Sequence, residues 1–307
     1  MPVNVLHYLK QQAQLVEEAL DRYTTPGGGA EAGPLLEGAP PKLLEAMRYS
    51  LLGGGKRLRP ALVIAAASLY GVEPQRVMPT ACALEMIHTY SLVHDDLPCM
   101  DDDDLRRGRP TNHKVYGEAM ATLVGDGLLT LAFELLGRQA AVEGIDPARA
   151  VRVVAEVAAG AGAAGMVGGQ VEDLEWEGRR AGGPQLQRIH AMKTGALFRA
   201  SLRAGAILSG GSEADLNALD RYAEQFGLAF QIQDDVLDVI GDAVKTGKGV
   251  GRDAKHEKST YVSLYGLEGA QERARAAVAQ AVEALRPFGE RARVLRALAE
   301  FVVDREG

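Results

Sequence analysis

Residues 85–113 read EMIHTYSLVHDDLPCMDDDDLRRGRPTNH. His88, Ser91 and Asp95 stand at i, i+3 and i+7, one stripe of a helix. That helix runs over about 75–97 and cannot continue through Pro98. Asp101, Asp102, Asp103 and Asp104 therefore lie in its last turn or in the loop beyond. A helix C-terminus carries partial negative charge and disfavours acids, so a purely structural reason for gathering them there is weak.

A second cluster, Asp234, Asp235 and Asp238, follows more than 130 residues later, and Gln231, Asp234 and Asp238 again share one helical stripe. At ~5 Å and an effective dielectric of ~20, each unneutralised acid pair repels by roughly 3 kcal/mol. Acids that face a cleft must shift their pKa values or recruit cations. Hard oxygen ligands without suitable His or Cys partners point to Mg²⁺ rather than zinc. A DDDD run by itself reads as solvated loop; a second cluster, also opening with a doublet on a helix, argues against that.

Outward from these motifs the chain reads as helix almost everywhere. Aromatics make up only 5% of the 307 residues, β-branched runs are scarce, and Ala, Leu, Glu and Arg dominate. Breakers fall at Pro26–Pro41, Gly53–Gly55, Gly71–Pro74, Leu105–Asn112, Gly144–Pro147, Gly178–Pro184, Gly210–Gly211 and Gly241–Lys258. The pieces between them are roughly 20–30 residues long, each about 30–45 Å of helix. No strand alternation or repeat is visible. The expectation is an all-α fold: a single large helical bundle with a central cavity, about ten or more helices in one domain over 1–307.

Cys82 and Cys99 are too few for a disulfide framework or a four-cysteine zinc site. The N-terminus lacks a signal-type apolar core. The longest weakly polar run, Val157–Gly169, has 13 residues, too few to span a bilayer. The expected setting is cytoplasmic, not integral to a membrane, and the net charge of −7 argues against a general nucleic-acid binder.

Acids that hold Mg²⁺ often present it to a phosphate, and basic segments accompany both clusters. They are Lys56-Arg57-Leu58-Arg59 after three glycines, Arg106-Arg107-Gly108-Arg109, Lys193-Thr194-Gly195 and Thr246-Gly247-Lys248. None follows the P-loop pattern. Taken singly, each reads as surface charge.

Together these residues resemble the trans-prenyl diphosphate synthase family. Glu85–His113 is similar to its first aspartate-rich motif and Phe230–Asp238 to its second. Gly55–Pro60, Gly169–Asp173, Lys193–Gly195, Gly247-Lys248 and Lys258–Tyr261 match in order, over about residues 40–265. The resemblance implies an isoprenoid synthase bundle that acts as a homodimer, in which three Mg²⁺ bridge an allylic diphosphate to both motifs. Asp95 and Asp101, with Asp96, would ligate metal on one side. On the other, Asp234 would ligate directly, with Asp238 and Asp173 acting mostly through water. Arg106, Lys193 and Lys248 would hold the allylic diphosphate as it leaves. Lys56, Arg59, His88 and Arg107 would take isopentenyl diphosphate, and Lys258 would be a further substrate-binding residue. Thr194 and Gln231 would face the reacting carbons.

The resemblance also bears on product length, through the residue five before the first aspartate: Tyr90, with Ser91 beside it. An aromatic there, with Pro98 and Cys99 as two extra residues in the motif, resembles bacterial farnesyl diphosphate synthases. Glu85–Val93 also resembles geranylgeranyl enzymes closely. The fifteen-carbon product is expected and the twenty-carbon product is the alternative. Helix arithmetic alone sets Tyr90 ~140° around from Asp95. A terpene cyclase shares the acid chemistry but needs no second diphosphate site, and a non-catalytic subunit would show gaps in one motif. Nine acids of the two clusters account for the charge: without them 34 cations face 32 acids, a balance of +2.

Overall fold

The computed structural model describes residues 3–26, 35–240 and 259–305. Residues 27–34 of the Pro26–Pro41 loop, and both Lys248 and Lys258, lie outside the described residues. The helices are α1 (Val5–Thr24), α2 (Pro41–Leu51), α3 (Leu58–Ser68), α4 (Pro74–Asp95), α5 (Asn112–Tyr116) and α6 (Glu118–Arg138). After them come α7 (Pro147–Ala161), α8 (Met166–Trp176), α9 (Gly183–His190), α10 (Ala196–Leu208), α11 (Glu213–Ile240), α12 (Tyr261–Ala284) and α13 (Arg293–Asp304).

Local chemistry sets the ends. Asn4 accepts from the His7 amide at 3.0 Å to start α1, and Asp146 accepts from Ala148 at 2.9 Å to start α7. Pro74 and Pro147 occupy first-turn positions where no amide is needed. Thr260 and Ser263 cap each other's backbone at the start of α12. Inside α4, Pro79 interrupts the ladder. There the Gln139 amide takes both sides of one helical bond, accepting from Thr80 N at 3.2 Å and donating to Arg76 O at 2.7 Å.

α4 is the central helix, buried from Val77 to Ile87 and packed against α3 and α6. α10 lies against α3, α7 and α11, and α11 runs along α12. Each fully buried Leu, Met or Phe here stabilises by about 1.5–3 kcal/mol. Backbones meet directly where small residues face one another. A Cβ on Gly205 of α10 would stand 2.2 Å from the Val63 carbonyl oxygen of α3. A smaller apolar cluster of Leu186, Ile232, Val236, Tyr261, Ala270 and Ala274 joins α9, α11 and α12.

Three details differ from the sequence reading. The stretch expected as one helix from Pro147 to Gly178 breaks at Gly162–Gly165 between α7 and α8. α8 accordingly has only 11 residues, shorter than the expected 20–30. Residues Leu105–Arg106 and Arg109–Pro110 form a two-stranded antiparallel hairpin, too short to show alternation. Its turn residues Arg107 and Gly108 have φ of 53° and 73°, the twist that suits a two-residue hairpin turn. Finally, Glu118–Ala141 and Pro147–Trp176, the second interrupted at Gly162–Gly165, are long and apolar enough by composition to cross a bilayer, more than the 13-residue run suggested. Core helices pass the same test, and α6 buries Val124, Leu128, Leu131 and Leu135.

Candidate active site

The chain after α4 turns back onto the helix that it leaves. Asp101 N donates to Asp95 O at 2.9 Å, Asp102 N to Leu97 O at 3.1 Å and Asp103 N to Asp96 O at 3.2 Å. These bonds satisfy carbonyls that a helix end leaves over, and Asp102 adopts a left-handed φ of 49° to make the turn. The result returns Asp101 to the side of Asp95. Burial lifts the Asp95 carboxyl to about 6, and the negative charges of Asp101 and Asp96 push the same way, while Lys193 and Arg106 oppose. Asp96 is buried (3% exposed) and grips Arg106 in a fork, with Nε at 2.9 Å and the terminal nitrogen at 2.6 Å.

Lys193 and Thr194 come from a π-turn, Ala191–Gly195, between α9 and α10. Such turns re-aim side chains within a helix. Lys193 Nζ bonds Asp173 of α8 at 2.7 Å, and its charge acts on Asp95. Gly169 makes this approach possible, since a Cβ there would lie 2.2 Å from Lys193 N. On α11, Asp234 is half-exposed and pairs with Arg305 at 2.5 Å. The Arg305 guanidinium also covers the Phe230 ring, 4.0 Å from its centroid. Gln231, half-buried, precedes Asp234 by one turn, and Asp238, half-buried, follows by another. Asp235 faces away and accepts from Tyr261 N at 2.7 Å, fixing the start of α12.

A cationic group lies beside these acids. Burial lowers the Lys56 ammonium, helped by Arg305 and opposed by Asp234. Burial lowers Arg59 to about 10, with Glu85 and Asp234 opposing and Arg107 adding. Arg59 also sits over the Phe198 ring at 5.0 Å. Arg107 lies across the glycine loop and donates to Gly54 O, with Gly55 leaving room for its guanidinium. His88 is held far below its ordinary value, first by burial and then by Arg59, Arg107, Arg106 and Arg57. It is a neutral imidazole among guanidiniums. Tyr90 is buried at 8% exposure, edge-on to His94, and both burial and the Asp95 charge raise its hydroxyl. Ser91 Oγ is spent on His88 O at 3.0 Å.

Among the described residues, no three His, Cys, Asp or Glu side chains close into a ready-made metal cage. The donors are instead separated carboxylates, of which Asp95 and Asp96 are raised first by burial and further by neighbouring acids. That suits Mg²⁺, which keeps several waters and takes further oxygens from a substrate phosphate. The electrostatics thus link Asp95, Asp101, Asp173, Lys193 and Arg106 in one group, and Asp234, Lys56, Arg59, Arg107 and His88 in another. The sequence reading missed Arg305, whose distance along the chain gave no signal. It also missed Glu85, and it counted Arg57 with the phosphate-binding cations, whereas the Arg57 guanidinium is buried on Glu85.

The polyprenyl synthetase family model matches residues 40–301. The chain belongs to the polyprenyl synthetase family. It is 48% identical to a farnesyl diphosphate synthase of Geobacillus stearothermophilus over 271 residues, 88% of each chain. It is 44% identical to a geranylgeranyl diphosphate synthase of Cyanophora paradoxa over 303 residues, covering 98% of this chain and 97% of that one. Among solved structures, an FPP/GFPP synthase from Zymomonas mobilis superposes with a TM-score of 0.83 at 39% identity, covering 99% of this chain and 100% of that one. This polyprenyl synthetase is therefore a trans-prenyl diphosphate synthase, a prenyltransferase of all-α fold.

Proposed function

We propose that the enzyme joins isopentenyl diphosphate to dimethylallyl and then geranyl diphosphate, and stops at farnesyl diphosphate. In each round the allylic C1–O bond breaks, C4 of isopentenyl diphosphate bonds to that C1, and a C2 proton passes to the departed diphosphate. The observation that carries the fifteen-carbon reading is Tyr90, a buried aromatic on α4 close enough to Asp95 to feel its charge. It would floor the space into which the chain grows.

Asp95 and Asp101 would hold metal from the α4 side, with Asp96 lending charge while its oxygens grip Arg106. Asp234, Asp238 and Asp173 would hold it from the other side. Three bound Mg²⁺ would supply electrophilic stabilisation of the leaving oxygens, worth several kcal/mol. Arg106 and Lys193 hold the departing diphosphate. Lys56, Arg59, Arg107 and neutral His88 bind isopentenyl diphosphate and align its double bond before water reaches the cation. Thr194 and Gln231 present oxygen dipoles to the allylic carbons. Lys248 and Lys258 are assigned on the family resemblance alone. The working form is a cytoplasmic homodimer of one-domain chains, a state that sedimentation measures.

Incubation with Mg²⁺, isopentenyl diphosphate and each of dimethylallyl, geranyl and farnesyl diphosphate, followed by product sizing, tests the reading. Farnesyl diphosphate should accumulate from the first two starters. A main twenty-carbon product would establish a geranylgeranyl enzyme, and turnover independent of isopentenyl diphosphate a cyclase.

A further inference from the structure

Arg57 is chemically out of place. Its side chain is 0% exposed, between two residues whose charges face the site, and its backbone is left-handed (φ 49°, ψ 40°). That conformation is sparsely populated for a residue with a Cβ and persists only where the surroundings impose it. The surroundings are four helices. The Arg57 guanidinium donates to Glu85 Oε1 of α4 at 2.7 Å, to Leu51 O at the end of α2 at 2.8 Å, and to Glu17 of α1 at 3.3 Å. Its own carbonyl accepts from Ala61 N at 3.0 Å, which opens α3. Glu85 is itself buried, at 2% exposure.

Two sequence relations give this pair its consequence. Arg57 directly follows Lys56 and stands two residues before Arg59, while Glu85 precedes His88 by three residues on one face of α4. One ion pair thus ties the loop that carries two cations to the helix that carries the histidine. Its field also reaches Arg59 and Arg107, both of which Glu85 favours in charged form.

We propose that the buried Arg57–Glu85 pair is the positioning element of the isopentenyl diphosphate subsite, setting the spacing between Lys56 and Arg59 on one side and His88 on the other. This rests on the assignment of Lys56, Arg59, His88 and Arg107 as that subsite. Neither partner touches substrate; both act through the residues beside them. A pair that only held the fold together would be interchangeable with apolar side chains of similar volume, which often match a buried ion pair in stability. A positioning pair is not interchangeable, because spacing is what it supplies.

The test is steady-state kinetics of the full-length Mg²⁺-loaded enzyme, with isopentenyl and geranyl diphosphate varied separately. Glu85→Gln and Arg57→Lys should each raise KM for isopentenyl diphosphate about ten- to a hundredfold, the usual range for residues that orient a binding group. KM for geranyl diphosphate should stay within about twofold in both. Arg57→Met should lower the thermal midpoint. Adding Glu85→Leu should restore the midpoint and leave the raised KM. Lys56→Ala, a direct contact, is the reference. If Lys56→Ala raises KM for isopentenyl diphosphate while folded Glu85→Gln and Arg57→Lys do not, the positioning role is overturned and the subsite stands. If Lys56→Ala changes nothing, the subsite assignment itself falls. A decrease in KM on Glu85→Gln would also overturn the proposal, since it would mark Glu85 as a mere counter-charge whose removal makes the pocket more attractive to anions.

Discussion

Asp95→Asn should make the metal-free protein more stable while stopping its chemistry. The native Asp95 carboxyl is raised from 3.8 to about 6, first by burial and then by Asp101 and Asp96. At ~1.36 kcal/mol per pKa unit this corresponds to roughly 3 kcal/mol, carried by the folded state whenever Asp95 is ionised. The sign follows from linkage. A carboxyl whose folded pKa exceeds its unfolded value favours folding below the unfolded value, and that favour is lost as pH rises through about 6. At pH 8 the wild-type protein therefore carries the full penalty, and Asn, with no charge to bury, does not. For a chain of this size ~2 °C per kcal/mol translates it into a rise of up to roughly 6 °C in the melting midpoint. Calorimetric scans in chelator at pH 8, 6 and 4 measure it. The advantage of Asn should shrink through pH 6 and vanish near pH 4, while turnover with Mg²⁺ at pH 8 falls by orders of magnitude. An Asn variant that melts at or below the wild-type midpoint at pH 8 would show that the Asp95 charge is already compensated, and near-normal turnover would remove Asp95 from the metal clamp.

Three further outcomes are expected. Tyr90→Ala or Tyr90→Met should lengthen the product towards twenty carbons, and an unchanged chromatogram would remove Tyr90 as the floor. Gly169→Ala places a Cβ 2.2 Å from Lys193 N and 2.7 Å from Lys193 Cα. The helices must part, at about 1–3 kcal/mol in unfolding free energy, and with the Lys193–Asp173 contact displaced turnover should fall by at least tenfold. A Gly169→Ala enzyme with wild-type activity would mean that Lys193 need not sit where α8 holds it. In titration calorimetry, Mg²⁺ alone and inorganic diphosphate alone should each bind weakly and the two together at least tenfold more tightly; additive binding would contradict the charge pairing of the site.

How far the sequence revealed the site depended on whether the signal was local. The stripe of His88, Ser91 and Asp95, and the break at Pro98, identified the helix and its acidic end, because spacing and proline act over a few residues. The return of Asp101 onto Asp95 was beyond such reasoning, since it depends on three backbone bonds from Asp101, Asp102 and Asp103 and on a left-handed Asp102. Helix arithmetic set Tyr90 far around the helix from Asp95, yet the Asp95 charge raises the Tyr90 hydroxyl. An angle between Cβ directions says little about long side chains at a helix end. The π-turn at Lys193 and the break between α7 and α8 were also hidden. In both, tertiary packing of small residues decides the backbone, and Ala-Gly-rich sequence is compatible with a continuous helix. Arg305 illustrates the limit: its pairing with Asp234 joins α11 to the residue just after α13, and no local pattern announces it.

The acids and bases of this site are best understood as partners waiting to be exchanged. Asp96 holds Arg106, Asp173 holds Lys193 and Asp234 holds Arg305. The alternation of DDDD with LRR along the chain is the same arrangement in one dimension. Clustered carboxylates repel by roughly 3 kcal/mol per pair, and these ion pairs offset that repulsion before any ligand binds. Mg²⁺ alone would take the acids and strand the cations; diphosphate alone would take the cations and strand the acids. On the proposed reading, a metal diphosphate would bring both signs at once and re-partner these charges, and selectivity for the complex over either part would follow. At Asp95 and Asp96 burial outweighs the neighbouring cations and leaves both carboxyls raised.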